Sequence, residues 1–241
     1  MSRARARTAV LAALLAAAPA AAQDTEQAAG QEAAPDAACP TGPVPQIRVI
    51  TDIADTVYDF SRPLAELNHI GSRAATATGN DVQRLLGLTH QAFVTGTNTA
   101  PGEVVERAGG GYCYSSGDGT ITLRLVTAIF VASELPAGSC LYGQVLAHEE
   151  RHAKVGRRLF GEYAANVEKA IAESLAETPF IAIDEPGVAP LAAKARLEAI
   201  IKPLYNDFKS TYRKRQAIID TSGEFARVRE ACPEQQEMLG Q

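Results

Sequence analysis

VLAHEERHAKVG, Val145 to Gly156, is the stretch whose reading decides the fold. Within it His148, Glu149 and His152 spell H-E-x-x-H. On a helix, residues four apart stand one above the other, so His148 and His152 can address a single metal ion, and Glu149 can act on a water bound there. The flanks predict that helix. Ser139 suits the N-cap position, and no proline occurs from Cys140 to about Glu177. The competing reading is plain packing. The histidines continue into an apolar stripe, Val155, Leu159, Tyr163, Val167 and Ile171, and could be core residues without a metal.

Working outward, the first 22 residues read as a signal peptide. Arg3, Arg5 and Arg7 precede an apolar run from Thr8 to about Ala18, and Ala20-Ala21-Ala22 offers a small-residue cleavage site. That run is too short to span a bilayer, and no later segment reaches about 18 uninterrupted apolar residues. The expectation is an exported chain, periplasmic or secreted, with no integral membrane segment. Removing the leader takes three arginines and no acids, leaving 20 basic against 28 acidic residues, or −8. Such a chain is a poor candidate for nucleic acid. Residues 23–38, rich in Ala, Gln, Glu and Asp, read as a disordered linker, and 39–241 as one domain.

Four cysteines in an exported chain imply two disulfides. Cys113–Cys140 is the favoured pair, tying a strand to the first turn of the motif helix; Cys39–Cys232 then closes the two ends of the domain. IRVITDI and TVYDF read as strands, SRPLAEL as the start of a helix, and DVQRLLGL as another short helix. GYCYSS, the turn SGDG and TITLRLVTAIFVA read as a hairpin whose long strand can offer its edge to an extended peptide. A second long helix is expected from about Ala189 to near Ile219, kinked or broken at Pro203, with a short closing helix after it. The expected fold is α+β: a small mixed or antiparallel sheet packed against two long antiparallel helices, the first carrying H-E-x-x-H.

The motif resembles the signature of the zincin metallopeptidases. The surrounding pattern, PAGSC shortly before LAHEERH and two long helices after it, resembles a bacterial family described as secreted zinc-dependent proteases, known mainly as a domain of uncharacterised function. The resemblance covers roughly Ile47 to Cys232. It implies a zincin-like domain with Zn2+ as cofactor, His148 and His152 as ligands, Glu149 as general base and a peptide or protein as substrate. The sequence departs from the metzincin pattern, because Gly156 is one place late and Arg158 stands where a third histidine belongs.

The third ligand has to be sought by geometry. Glu168, Glu173 and Glu177 lie on the motif helix itself and recede from the metal if that helix is straight. In an antiparallel helix hairpin turning near Ile183, His152 faces a position near Lys214. Tyr212, Gln216 and Asp220 fall in or near that window. Asp220 is the preferred ligand by type, with Glu224, Asp207, His69 and His90 as rivals. Tyr212 is a candidate oxyanion group. The leading expectation is an exported zinc-dependent peptidase. The alternative is a non-catalytic zinc-binding or envelope structural or interaction protein with a zincin-like fold.

Overall fold

The computed structural model describes residues 39–78 and 85–235. In chain order they form strands β1 (Ile47–Ile53) and β2 (Val57–Asp59), helix α1 (Leu64–Thr78), strands β3 (Gly87–Thr99), β4 (Glu103–Glu106), β5 (Tyr112–Ser115) and β6 (Gly119–Val131), helix α2 (Cys140–Glu177), strand β7 (Ile181–Ile183), and helices α3 (Ala189–Ala217) and α4 (Ser222–Ala231). The class is α+β. The stretches read as leader and linker lie outside the described residues. So do residues 79–84, which take in half of the short helix expected over 81–88; its last two residues, Gly87 and Leu88, open β3 instead.

The larger sheet is built on β6. Its sequence alternates, and Ile121, Leu123, Leu125, Thr127, Ile129 and Val131 all point to one face, where each is fully buried. β3 runs antiparallel along the whole of one edge, Gly87 opposite Val131 and Thr99 opposite Gly119. β1 and β2 therefore share the other edge, both parallel to β6. A second sheet, β4-β5-β7, is antiparallel throughout.

Two expectations are corrected here. β5 and β6 do not form a hairpin, because β5 pairs with β4 and β7 while β6 joins the other sheet. With both of its edges hydrogen-bonded, β6 has none left to offer a peptide. The disulfides also differ: Cys39 pairs with Cys113 and Cys140 with Cys232, not Cys113 with Cys140 and Cys39 with Cys232. The cause is the same. β5 carries Cys113 away to the second sheet, where it meets the segment before β1, while α4 brings Cys232 back onto the first turn of α2.

α2 begins at Ser139, whose hydroxyl accepts from the Tyr142 amide at 3.2 Å and so satisfies one of the free donors of the first turn. Its buried stripe serves two separate apolar clusters. Leu141 and Val145 pack with Leu67, Val131, Leu135 and Val228. Leu159, Phe160, Tyr163, Val167, Ile171 and Leu175 pack with Ile121, Leu123, Leu125 and Phe208 of α3. The polar motif lies in the seam between them. α3 passes through Pro203 without interruption, and its two ends meet α2 at well-separated places: Arg196 donates to the Ser174 carbonyl at 2.6 Å, and Gln216 to the His152 carbonyl at 3.2 Å.

Candidate metal centre

His148 and His152 lie one turn apart on the buried side of α2. Opposite them the chain leaves α3, turns at Asp220 and re-enters helix at α4, where the Thr221 hydroxyl accepts from the Glu224 amide at 3.2 Å. That Thr-x-x-Glu pattern marks a helix start in the sequence, and it holds Asp220 between two helix ends. The result is a triangle of ligand-type atoms. His148 Nε2 and Asp220 Oδ1 are 3.0 Å apart, His152 Nε2 and Asp220 Oδ1 2.9 Å, and the two Nε2 atoms 3.0 Å. Among the described residues these three form the group that could hold a metal ion.

Protons satisfy this triangle only when both imidazoles donate to the carboxylate. An imidazole Nε2 offers either one N–H or one lone pair, and an ionised carboxylate oxygen only accepts. With both nitrogens protonated, both donate to Asp220 Oδ1 while two like donors stand 3.0 Å apart; with neither, three lone pairs converge; with one, the other nitrogen turns its lone pair on the carboxylate. A cation at the centre satisfies all three at once. Ligand atoms about 2.0–2.1 Å from a tetrahedral zinc stand about 3.3 Å apart, so the observed spacing fits to within a few tenths of an ångström. The Asp220 side chain remains 48% exposed, which leaves the group open to solvent on that side.

Each histidine has outer partners. Gln216 Oε1 contacts His152 Nδ1. Beside His148, Glu224 Oε1 stands 3.6 Å from Nδ1 and Arg151 Nη2 3.3 Å from it. The Glu224 carboxylate is itself gripped by Arg151 and, at 2.7 and 2.9 Å, by Arg227. Glu224 is thus not in the triangle but behind it. Burial pushes the Asp220 carboxyl up, but hydrogen bonds from His148 and His152 and their charge outweigh it, and the carboxyl is held well below the usual range. Burial works on His152 in the opposite sense, and Asp220 and Gln216 outweigh that too, so its pKa is raised.

Glu149 points to the sheet. It is 6% exposed, and its Oε2 and its backbone carbonyl lie 2.7 and 2.9 Å from the Thr89 hydroxyl of β3, whose single proton the two oxygens share. Burial is the main influence and raises its pKa against the pull of His152, Thr89 and His148. β3 can lie this close because of two glycines. A Cβ on Gly87 would stand 2.9 Å from the Glu149 carboxyl, and one on Gly156 only 1.8 Å from Gln91 Oε1. Gln91 in turn donates to Thr127 at 3.0 Å and to the Ala153 carbonyl, and accepts from the Tyr212 hydroxyl at 3.1 Å. Tyr212, pushed by burial up to about 12, therefore spends its proton on Gln91.

No family model matches the chain, and neither a curated protein nor a solved structure matches it. The chemistry rests on the geometry. His69 on α1 and His90 on β3 are exposed and outside the triangle. Alternation explains His90: Thr89 and Gln91 face α2, so His90 faces away. Asp207 is exposed on α3, and Glu168, Glu173 and Glu177 lie on the outer surface of α2, Glu173 beside Lys169. Thr89, Gln91 and Thr127 were not singled out from the sequence. Thr127 had a signal, the one polar residue in an otherwise apolar alternating face.

Proposed function

We propose that the chain is a zinc-dependent peptidase of zincin type acting in an oxidising, extracytoplasmic compartment, with His148, His152 and Asp220 as the metal ligands. The observation that carries the metal reading is the triangle of two imidazole nitrogens and a carboxylate oxygen, whose spacing and donor set suit a shared cation. In this reading the scaffold is an antiparallel pair of long helices, the first carrying the motif. The contacts of Arg196 with Ser174 and of Gln216 with His152 support it. The two disulfides support the compartment, and among the described residues no helix is long and apolar enough to cross a membrane.

A bound zinc supplies Lewis acidity toward a peptide carbonyl and acidifies water at its open position. The protein's own groups do the rest. Asp220 offsets part of the metal's charge, which neutral imidazoles cannot do. Glu149, adjacent to His148 and steadied by Thr89, takes a proton from water and returns it to the leaving amine. The exposed side at Asp220 is where a peptide enters.

A second reading is a metal-binding envelope protein without turnover. It is favoured by the near-complete burial of Glu149 against Thr89 and by the engagement of the Tyr212 hydroxyl with Gln91, which leaves neither facing a substrate. The experiment is metal analysis of untagged protein followed by a peptide-cleavage assay of wild type and Glu149→Gln. About one zinc per chain in both, with cleavage only in the wild type, supports the peptidase. Zinc in both with cleavage in neither supports the second reading. Wild type that stays metal-free after incubation with zinc and dialysis removes both.

A further inference from the structure

Gln216 lies on the last turns of α3 and makes two contacts with a single residue, His152. Its Nε2 donates to the His152 backbone carbonyl at 3.2 Å, and its Oε1 contacts His152 Nδ1. The first contact fixes the amide. Reversed, it would set Oε1 against a carbonyl oxygen, acceptor against acceptor. With the amide so oriented, Oε1 can only accept, and the proton it accepts must be the one on Nδ1. A neutral imidazole with a proton on Nδ1 carries a bare lone pair on Nε2. That is the nitrogen 2.9 Å from Asp220 and 3.0 Å from His148 Nε2.

We propose that Gln216 is a positioning residue that holds His152 in its Nδ1–H tautomer, aiming the Nε2 lone pair into the triangle. The consequence for metal binding rests on the zinc reading above. The amide is placed by α3 and ties the backbone and the ring of one ligand together, so the ring can neither rotate nor exchange its tautomer freely. A glutamate at 216 could make the same ring contact through one carboxylate oxygen while losing the donation to the His152 carbonyl, so it isolates the ring contact; a leucine of similar size could make neither contact.

Two measurements test this on the whole chain. The first is zinc affinity, by competition with a chromophoric chelator. Gln216→Leu is expected to weaken binding about tenfold or more, the usual effect of losing an outer partner of a ligand histidine, and Gln216→Glu to restore it to within about threefold of wild type. Equal losses in both variants, or none in the leucine variant, would overturn the proposal; a residue that only packed would show no rescue by glutamate. The second is the 15N spectrum of metal-free protein at a pH where His152 is neutral. Wild type is expected to show Nδ1 protonated and Nε2 bare, a signature that is lost in Gln216→Leu. Nε2 protonated in wild type would overturn the proposal. If wild type bound no zinc, the metal reading would fall, and this spectrum would still decide the tautomer.

Discussion

At the scale of single residues, Asp220 and Glu149 are opposites. Both are carboxyls beside the same histidines, yet one is held below its usual pKa and the other above it. Asp220 has two imidazoles within 3.0 Å and an open side; Glu149 has one hydroxyl and almost no water. Replacing Asp220 by alanine should weaken zinc binding by roughly tenfold or more, whereas Glu173→Ala, on the outer face of α2, should leave it unchanged. Titration calorimetry of the two variants checks this. Glu149 has a consequence for the metal-free protein. Unfolded, it titrates near the ordinary value of about 4.3; folded, it keeps its proton to higher pH. Between those values the folded state binds more protons, so stability falls as pH rises through the window. The contribution from Asp220 has the other sign and lies lower, being lost as pH drops through its depressed folded value. Denaturant unfolding in chelator should therefore show Glu149→Gln gaining on wild type as pH rises above about 4.5. A constant difference across that range would mean that Glu149 is not perturbed by folding.

At the scale of elements, the decisive contact is α2 against β3. Gly87 and Gly156 remove side chains from the places where the strand and helix come closest, and the space is filled by the Glu149 carboxyl and the Gln91 amide. Gln91 is the end of a flexible side chain but is not free to move, because Thr127, Ala153 and Tyr212 all hold it. Gly156→Ala should thus cost about 1–3 kcal/mol, the range for an overpacked interior, despite the better helix propensity of alanine. Adding Gln91→Ala removes the clash, so the double variant should lose less than the two single losses combined. Thermal unfolding of the four proteins measures the coupling, and strict additivity would show that the helix has shifted away from the strand.

At the scale of the molecule, the site occupies a seam. The first turns of α2 belong to one apolar cluster and the later turns to another, with His148 and His152 between them and Asp220 reached only through the α3–α4 turn. Cys140–Cys232 clamps the end of α4 to the start of α2, with Gln235 accepting from the Leu141 amide alongside it, so this disulfide holds the Asp220 turn over the histidines. Cys39–Cys113 ties the segment before β1 to the second sheet instead. Replacing either pair by serine should lower stability by about 2–5 kcal/mol. Only loss of Cys140–Cys232 should also weaken zinc binding. Affinity measured on both double-serine proteins at a temperature where each is folded tests the difference, and equal affinities would show that α3 alone sets Asp220.

What the sequence determined by itself is what short-range geometry controls. Four-residue spacing sets two imidazoles on one helical face, alternation sets the buried face of β6, and Thr221 with Glu224 marks where a helix restarts. The window opposite His152 could be counted, and it held both Gln216 and Asp220, but counting residues could not separate the atom that joins the triangle from the one that stands behind it. That the four cysteines form two disulfides could be read, but their pairing could not, since it followed from β5 leaving β6 for another sheet, a choice made by strand partners far apart in the chain, Tyr112 with Ile183 among them. Gln91 carried no mark at all. Its role exists only where a glycine on α2, a threonine on β6 and a tyrosine on α3 converge, and contacts of that range are decided by packing, because no local pattern encodes which buried polar groups will find each other.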